Sequence, residues 1–271
     1  MPTPSRIVYY GRVKPRKPFP KAPLVVIVVV IVIAALGVGL WYLSNLPQIR
    51  IQKISVSGSR TLAPEEIQKK VSQAISGTRW YGFPNDNFFL LSSGSLERAL
   101  EAAFPRVEAV RVNKKFPQGL SIVVTERFFW GIYCQKQEII GPCVYIDRLG
   151  VAYEELDAFS GSLAPVIHAP EAPQLGAAVV SPALRELYER SEEALAGISA
   201  KLVSLEIATA TPRDLKLALA EGWHLLVPRD SDPQQWVSVF KTVLDQEIGS
   251  RRSKLEYVDL RFGSKVFYKY R

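Results

Sequence analysis

The sequence predicts an α+β protein carried by one N-terminal transmembrane helix, and three observations predict it. Residues Leu24 to Leu43 read LVVIVVVIVIAALGVGLWYL and hold no charge. The next stretch, residues 49–127, has apolar positions spaced as strand, helix, helix, strand, strand. From Phe128 onward, short alternating runs broken by Gly and Pro predict a mixed β-sheet with flanking helices. The expected organisation is a disordered basic cytoplasmic tail (1–23), the span (24–43), a small β-α-α-β-β module (49–127) and a β domain (128–271).

The apolar run decides what lies on either side of it. Twenty residues at about 1.5 Å each make about 30 Å, the hydrocarbon thickness of a bilayer. A helix pairs all its backbone groups internally, as lipid requires. Trp41 and Tyr42 then fall where interfacial aromatics sit. A cleaved signal peptide has a shorter core and an A-x-A site, which Ser44-Asn45-Leu46-Pro47 does not provide.

Charge follows the same division. Of 34 Lys and Arg, six (Arg6, Arg12, Lys14, Arg16, Lys17, Lys21) precede the span, with none of the 26 acids. The net charge of +8 is therefore mostly a basic flank of the span, not a nucleic-acid surface. The positive-inside rule puts the tail in the cytoplasm and the C-terminal domains outside. In an oxidising compartment a disulfide between Cys134 and Cys143 persists, worth about 2.7 kcal/mol by loop entropy. Two free thiols facing each other on a hairpin fit the sequence as well.

In the first module, Ile54 and Val56 mark a strand that turns at Ser57-Gly58-Ser59. Thr61 is the expected N-cap, with Pro64 in the first turn, of a helix burying Ile67, Val71, Ala74 and Ile75. Gly77 ends it. Thr78 to Ser93 is an aromatic-rich loop. A second helix starts near Ser95, with Leu96, Ala99, Leu100 and Ala103 on one face. Val110 and Val112, then Leu120, Ile122 and Val124, mark two strands around a Pro117/Gly119 turn.

In the β domain, Trp130–Cys134 and Cys143–Ile146 read as a hairpin, followed by Val151-Ala152-Tyr153. Ser160 to Gly176 is rich in Pro and Gly and reads as a loop. Ser181-Pro182 opens a helix burying Leu184, Leu187, Tyr188, Ala194, Leu195 and Ile198. Strands follow at Val203 to Ala208, Leu215 to Ala220 and Trp223 to Val227. Asp232-Pro233 opens a helix with Trp236, Phe240, Val243, Leu244 and Ile248 inward. In Leu255 to Phe262, alternation puts Val258, Leu260 and Phe262 on one face and Tyr257, Asp259 and Arg261 on the other. Lys265 to Tyr270 is the last strand.

No motif carries catalysis. His168 and His224 stand alone, Glu154 and Glu155 point to opposite faces, and no phosphate loop or metal-ligand spacing occurs. No enzyme activity, cofactor or metal is expected. What the pattern offers is an edge. A sheet that finishes at the C-terminus exposes unpaired N–H and C=O groups, which a partner strand can use. Lys265 and Lys269 blunt such an edge, but Phe267 lies between them on the same face.

The first module resembles a POTRA domain. FPRVEAVRVNKKFPQGLSIVVTER (Phe104 to Arg127), VYIDRLGVAYEE (Val144 to Glu155) and the YVDLRF…KVFYK ending resemble the FtsQ/DivIB family of bacterial cell-division proteins. Pro105, Val107, Val110, Asn113, Phe116, Pro117 and Glu126 stand in the family's motif positions. Ala109 falls directly before Val110, and Phe128-Phe129 replaces a proline that usually follows the Glu-Arg pair. The resemblance implies a non-enzymatic scaffold in the cytoplasmic membrane at the division septum. It implies binding of FtsB/DivIC-like and FtsL-like coiled-coil proteins through Tyr257, Val258, Asp259, Leu260, Arg261, Phe262, Val266, Phe267 and Tyr268. Other division proteins would meet the POTRA-like module. A POTRA-containing polypeptide chaperone of the envelope is the alternative.

Overall fold

The computed structural model describes residues 3–7, 11, 21–79, 82–136, 141–156, 164–207 and 214–271. Most of the tail expected to be disordered lies outside these residues, as do Trp80 and Tyr81. Helix α1 spans Lys21–Ser44, and its stretch Val25–Ser44 is long and apolar enough to cross a membrane. Its described side chains project away from the protein, so no core explains their apolarity. Ser44 Oγ and Asn45 Nδ2 both donate to the Trp41 carbonyl, at 2.7 and 2.8 Å, and occupy one of the helix's terminal acceptors.

The first module is a three-stranded sheet under two helices. Strand β1 (Lys53–Ser57) lies parallel to β5 (Gly119–Glu126), which pairs antiparallel with β4 (Val107–Lys115). Helices α2 (Pro64–Ile75) and α3 (Ser93–Ala103) cover one face. Ile67, Val71, Leu96, Leu100, Val110, Leu120 and Ile122 form the core they close. A two-residue-per-strand hairpin, β2 (Thr78–Arg79) and β3 (Phe83–Pro84), interrupts the aromatic loop. Ala74 and Ala99, expected inward, are exposed. They line an apolar groove of about 600 Å³ between α2, α3 and the hairpin.

The N-terminus of α2 departs from expectation. Thr61 does not cap it. Ala63 precedes the first turn and offers no side chain, and Pro64 sets the start. The N–H groups of Arg60, Thr61 and Leu62 instead reach the Glu126 carboxylate at the end of β5, at 2.7, 2.9 and 3.1 Å. A residue at the end of the neighbouring strand β5 thus holds the backbone just ahead of α2.

The second domain is one nine-stranded sheet. Its spatial order is β14-β13-β12-β11-β10-β9-β6-β7-β8, where β6 is Phe129–Gln135, β7 Cys143–Asp147, β8 Ala152–Leu156, β9 Val166–Ala169, β10 Leu202–Ile207, β11 Asp214–Leu219, β12 His224–Pro228, β13 Leu255–Phe262 and β14 Lys265–Tyr270. Helices α4 (Pro182–Ala196) and α5 (Pro233–Val243) pack on one face. Ser181 and Asp232 cap them, accepting from Leu184 N and Gln234 N at 3.2 Å each. Tyr188, Trp223, Phe240 and Leu195 anchor this core, and a π-helical turn (Leu244–Ile248) continues α5 with Leu244 and Ile248 inward.

Two sequence expectations fail here. Residues 160–176 are not wholly a loop: β9 sits in the middle of the sheet, parallel to both β6 and β10, with Val166, Ile167 and Ala169 buried. Pro165 and Pro170 bracket it and disguise it as loop, while its ladder partners lie far away in sequence. Phe262 does not share the inner face of Val258 and Leu260. The ladder of β13 and β14 shifts register between Asp259 and Phe262, and the ring turns out to solvent, 56% exposed.

Candidate partner-binding edge

The C-terminal strand is the end of the sheet. β13 pairs with β12 on one side and β14 on the other, so it is interior. β14 pairs only with β13, and among the described residues no segment runs beside its outer side. Alternate backbone groups of β14 therefore face outward. Its side chains alternate as well: Val266, Tyr268 and Tyr270 pack against the core, while Lys265, Phe267 and Lys269 are exposed.

The outer face at this edge is aromatic with a charged frame. The exposed Phe267 and Phe262 rings meet edge to face at 5.4 Å, and the Arg261 guanidinium stands 5.7 Å from the Phe262 centroid. Arg261 is fixed by two carboxylates, Asp259 at 2.6 Å and Asp214 at 2.6 Å. Burial alone would raise the Asp259 carboxyl, but the Arg261 side-chain and backbone donors reverse this and hold it below the usual range. The hydrogen bonds that Arg261 donates to Asp259 and then to Asp214 raise it further above its ordinary value. Lys269 pairs with Glu256 at 2.7 Å, which lowers the acid and raises the base. Tyr257 stacks on His224 at 5.9 Å, and burial, helped by Lys216, lowers that imidazole below its ordinary value. Such an arrangement offers main-chain pairing and aromatic contact. It offers no oriented nucleophile and base, and among the described residues no three His, Cys, Asp or Glu gather as a metal site.

The junction between the domains is two residues long, Arg127 and Phe128, and Arg127 ties both sides. Its Nε donates to the Pro105 carbonyl at 3.0 Å, and its Nη1 reaches the buried Asp147 carboxylate at 2.5 Å. Asp147 also accepts from Leu149 N and Val151 N, at 2.8 and 2.9 Å, which shapes the Asp147–Gly150 turn. Nearby, Arg106 pairs with Glu154 and lies 5.4 Å from the Tyr153 ring.

Residues 49–127 match the family model of the POTRA domain, FtsQ-type. The chain is similar to the cell division protein FtsQ of Streptomyces coelicolor (25% identity, 43% of this chain, 40% of that one). It is also similar to those of Streptomyces collinus (30%, 38% and 36%) and Streptomyces venezuelae (27%, 57% and 48%). These matches support a place in the FtsQ/DivIB family. The match spans less than half the length of these FtsQ relatives.

The edge brings together only part of the anticipated set. Phe262, Phe267, Arg261 and Tyr257 lie on or beside the outer face, Asp259 is buried in its pair with Arg261, Val258 and Leu260 are core, and Val266 and Tyr268 pack inward. Cys134 and Cys143 oppose each other across β6 and β7, and their sulfurs are bonded. Trp41 and Tyr42 lie in the last turns of α1 and are exposed. Sequence reasoning treated Glu126-Arg127 as a motif and missed both roles, capping residues 60–62 and clamping Asp147. The signal available was a Glu-Arg pair ending a strand at a domain boundary.

Proposed function

We propose that this protein is a non-enzymatic, single-span scaffold of the bacterial division machinery. α1 anchors it in the cytoplasmic membrane with the N-terminus inside, and the POTRA domain and sheet lie outside at the septum. There β14 pairs with a strand of an FtsB/DivIC-like protein, accompanied by an FtsL-like coiled coil, and the assembly coordinates septal cell-wall synthesis. The observation that carries this reading is the open β14 edge with Phe267 exposed beside Phe262. Each added main-chain hydrogen bond contributes about 0.5–1.5 kcal/mol, and a buried aromatic pair supplies the anchor.

The test is calorimetric titration of the full chain in lipid nanodiscs with the FtsB/DivIC-like protein of the same cell. Phe267→Asp is expected to abolish binding while the circular dichroism melt is kept. Unchanged affinity sinks the β14 site. The apolar groove between α2 and α3 favours the alternative, a polypeptide chaperone. That reading gains if unfolded peptides bind the chain and an Ala99→Asp variant loses them.

A further inference from the structure

An apolar patch stands where α1 gives way to the POTRA domain. Phe89, Leu90 and Phe116 are 66%, 47% and 72% exposed. The rings of Phe89 and Phe116 both meet Phe88 edge to face, at 5.4 and 5.7 Å, so two separate loops make one surface. In water this exposure of large apolar groups is unfavourable and marks an interaction site.

The patch is tied to the end of the apolar helix. Asn87 Nδ2 donates to the carbonyl of Ser44, the last residue of α1, at 2.7 Å. Asn87 itself is buried, and its Oδ1 accepts from Phe89 N at 2.9 Å, which fixes where that loop points its chain. Phe88 N donates to the Ile49 carbonyl at 2.8 Å, and Gln118 Nε2 to the Pro47 carbonyl at 3.0 Å, so the β4–β5 turn bearing Phe116 is held to the same connector. Phe89 is two residues from Asn87, a reach of about 7 Å at full extension.

Cations frame the patch. The Lys114 ammonium stands 5.6 Å from the Phe88 centroid and donates to its carbonyl at 2.8 Å. Lys53 and Lys115 are exposed on the two strands that flank Gly119 in register. The acid beside them, Asp86, is paired with Arg50 at 2.8 Å. Apolar rings surrounded by lysines suit the boundary between acyl chains and anionic headgroups.

We propose that this patch docks on the outer leaflet of the bilayer that α1 enters. Phe89, Leu90 and Phe116 insert at the interface, and Lys53, Lys114 and Lys115 face lipid phosphates. This rests on reading α1 as a membrane span. The covalent link to α1 keeps the patch at high effective concentration near the surface, so even weak insertion holds the POTRA domain down. The height and tilt of the whole extracytoplasmic part then follow from the patch.

The test uses the full chain in vesicles of phosphatidylethanolamine and phosphatidylglycerol with brominated acyl chains. A fluorophore is placed at Leu90→Cys, at Val38→Cys inside α1, or at Gln234→Cys on α5, under non-reducing conditions. Bromolipid is expected to remove most of the fluorescence at positions 38 and 90 and little at 234. Phe89→Asp with Phe116→Asp is expected to return position 90 to the level of 234 and leave 38 quenched. Quenching at 38 without quenching at 90 overturns the docking while the membrane anchor stands. Quenching at neither overturns both. Quenching at 90 that survives the double substitution overturns the assignment to these side chains.

Discussion

The nine-stranded sheet has two edges, and they are finished differently. At β8 the chain doubles back on itself. Ala152 N donates to the Ala177 carbonyl at 3.0 Å, Gly176 N to the Ala152 carbonyl at 2.7 Å, and Val179 N to the Gly150 carbonyl at 2.8 Å. The POTRA domain adds Arg106, which pairs with Glu154 and lies against Tyr153. At β14 nothing comparable is found among the described residues, and lysines alternate with an exposed phenylalanine. One edge thus meets its own chain at Gly150, Val151 and Ala152, while the other meets no strand beyond β13 among the described residues. Arg127 ties the Asp147 turn, at the end of β7, to the POTRA domain.

Substitutions sharpen the contrast. The largest effect is expected at the covered edge. Gly150 has φ +75°, and a Cβ there would lie 1.9 Å from the Val180 carbonyl oxygen. Gly150→Ala must displace the covering segment, at a cost of more than about 3 kcal/mol. Denaturation followed by tryptophan fluorescence of the sheet domain reads it, and a loss below 1 kcal/mol, about the smallest cost expected for a strained site, contradicts the close approach. Arg127→Ala leaves the buried Asp147 carboxylate with only its backbone donors, a loss of about 3 kcal/mol. Small-angle scattering is expected to show a wider spread of domain separations, whereas an unchanged profile would mean that Arg106 and Glu154 suffice.

Glu126→Ala removes a charged acceptor from three N–H groups and is expected to destabilise the POTRA domain by about 2 kcal/mol. Burial pushes the Glu126 carboxyl up, but the N–H groups of Leu62, Arg60 and Thr61 outweigh it and hold the folded value below the ordinary one. A depressed carboxylate gives stability that is present above the unfolded pKa and lost as pH falls through the folded one. Stability should therefore fall on acidification below the ordinary glutamate range, and Glu126→Gln should flatten that fall. A variant with the wild-type acid slope would assign it to another carboxylate, such as Asp259.

The free edge is expected to tolerate change. Gly263, in the β13–β14 turn, has φ +66° with nothing within 4 Å of a built Cβ. Gly263→Ala meets only the backbone cost, about 1 kcal/mol. Phe267→Asp is expected to alter stability by about 0.5 kcal/mol or less, since the ring is exposed. A melt lowered as far as that of Gly150→Ala would make Phe267 a structural residue and remove the contrast between the edges.

The sequence by itself determined the parts whose physics is local. The uncharged run of Leu24 to Leu43, the 3.6-residue stripes of α2, α4 and α5, and the alternation of β4, β5 and β11 each declare themselves within a dozen residues. The motif ending at Glu126-Arg127 and the aromatic C-terminus pointed to the FtsQ/DivIB family. Only the tertiary structure decided that Pro165 and Pro170 bracket a central strand, because the partners that make β9 a strand are β6 and β10, distant in sequence. Only it turned Phe262 outward, through a register shift that alternation cannot foresee. And only it separated a covered edge from an open one. A strand's alternation is the same at either place, and what differs is which other segment arrives to use its outward hydrogen bonds.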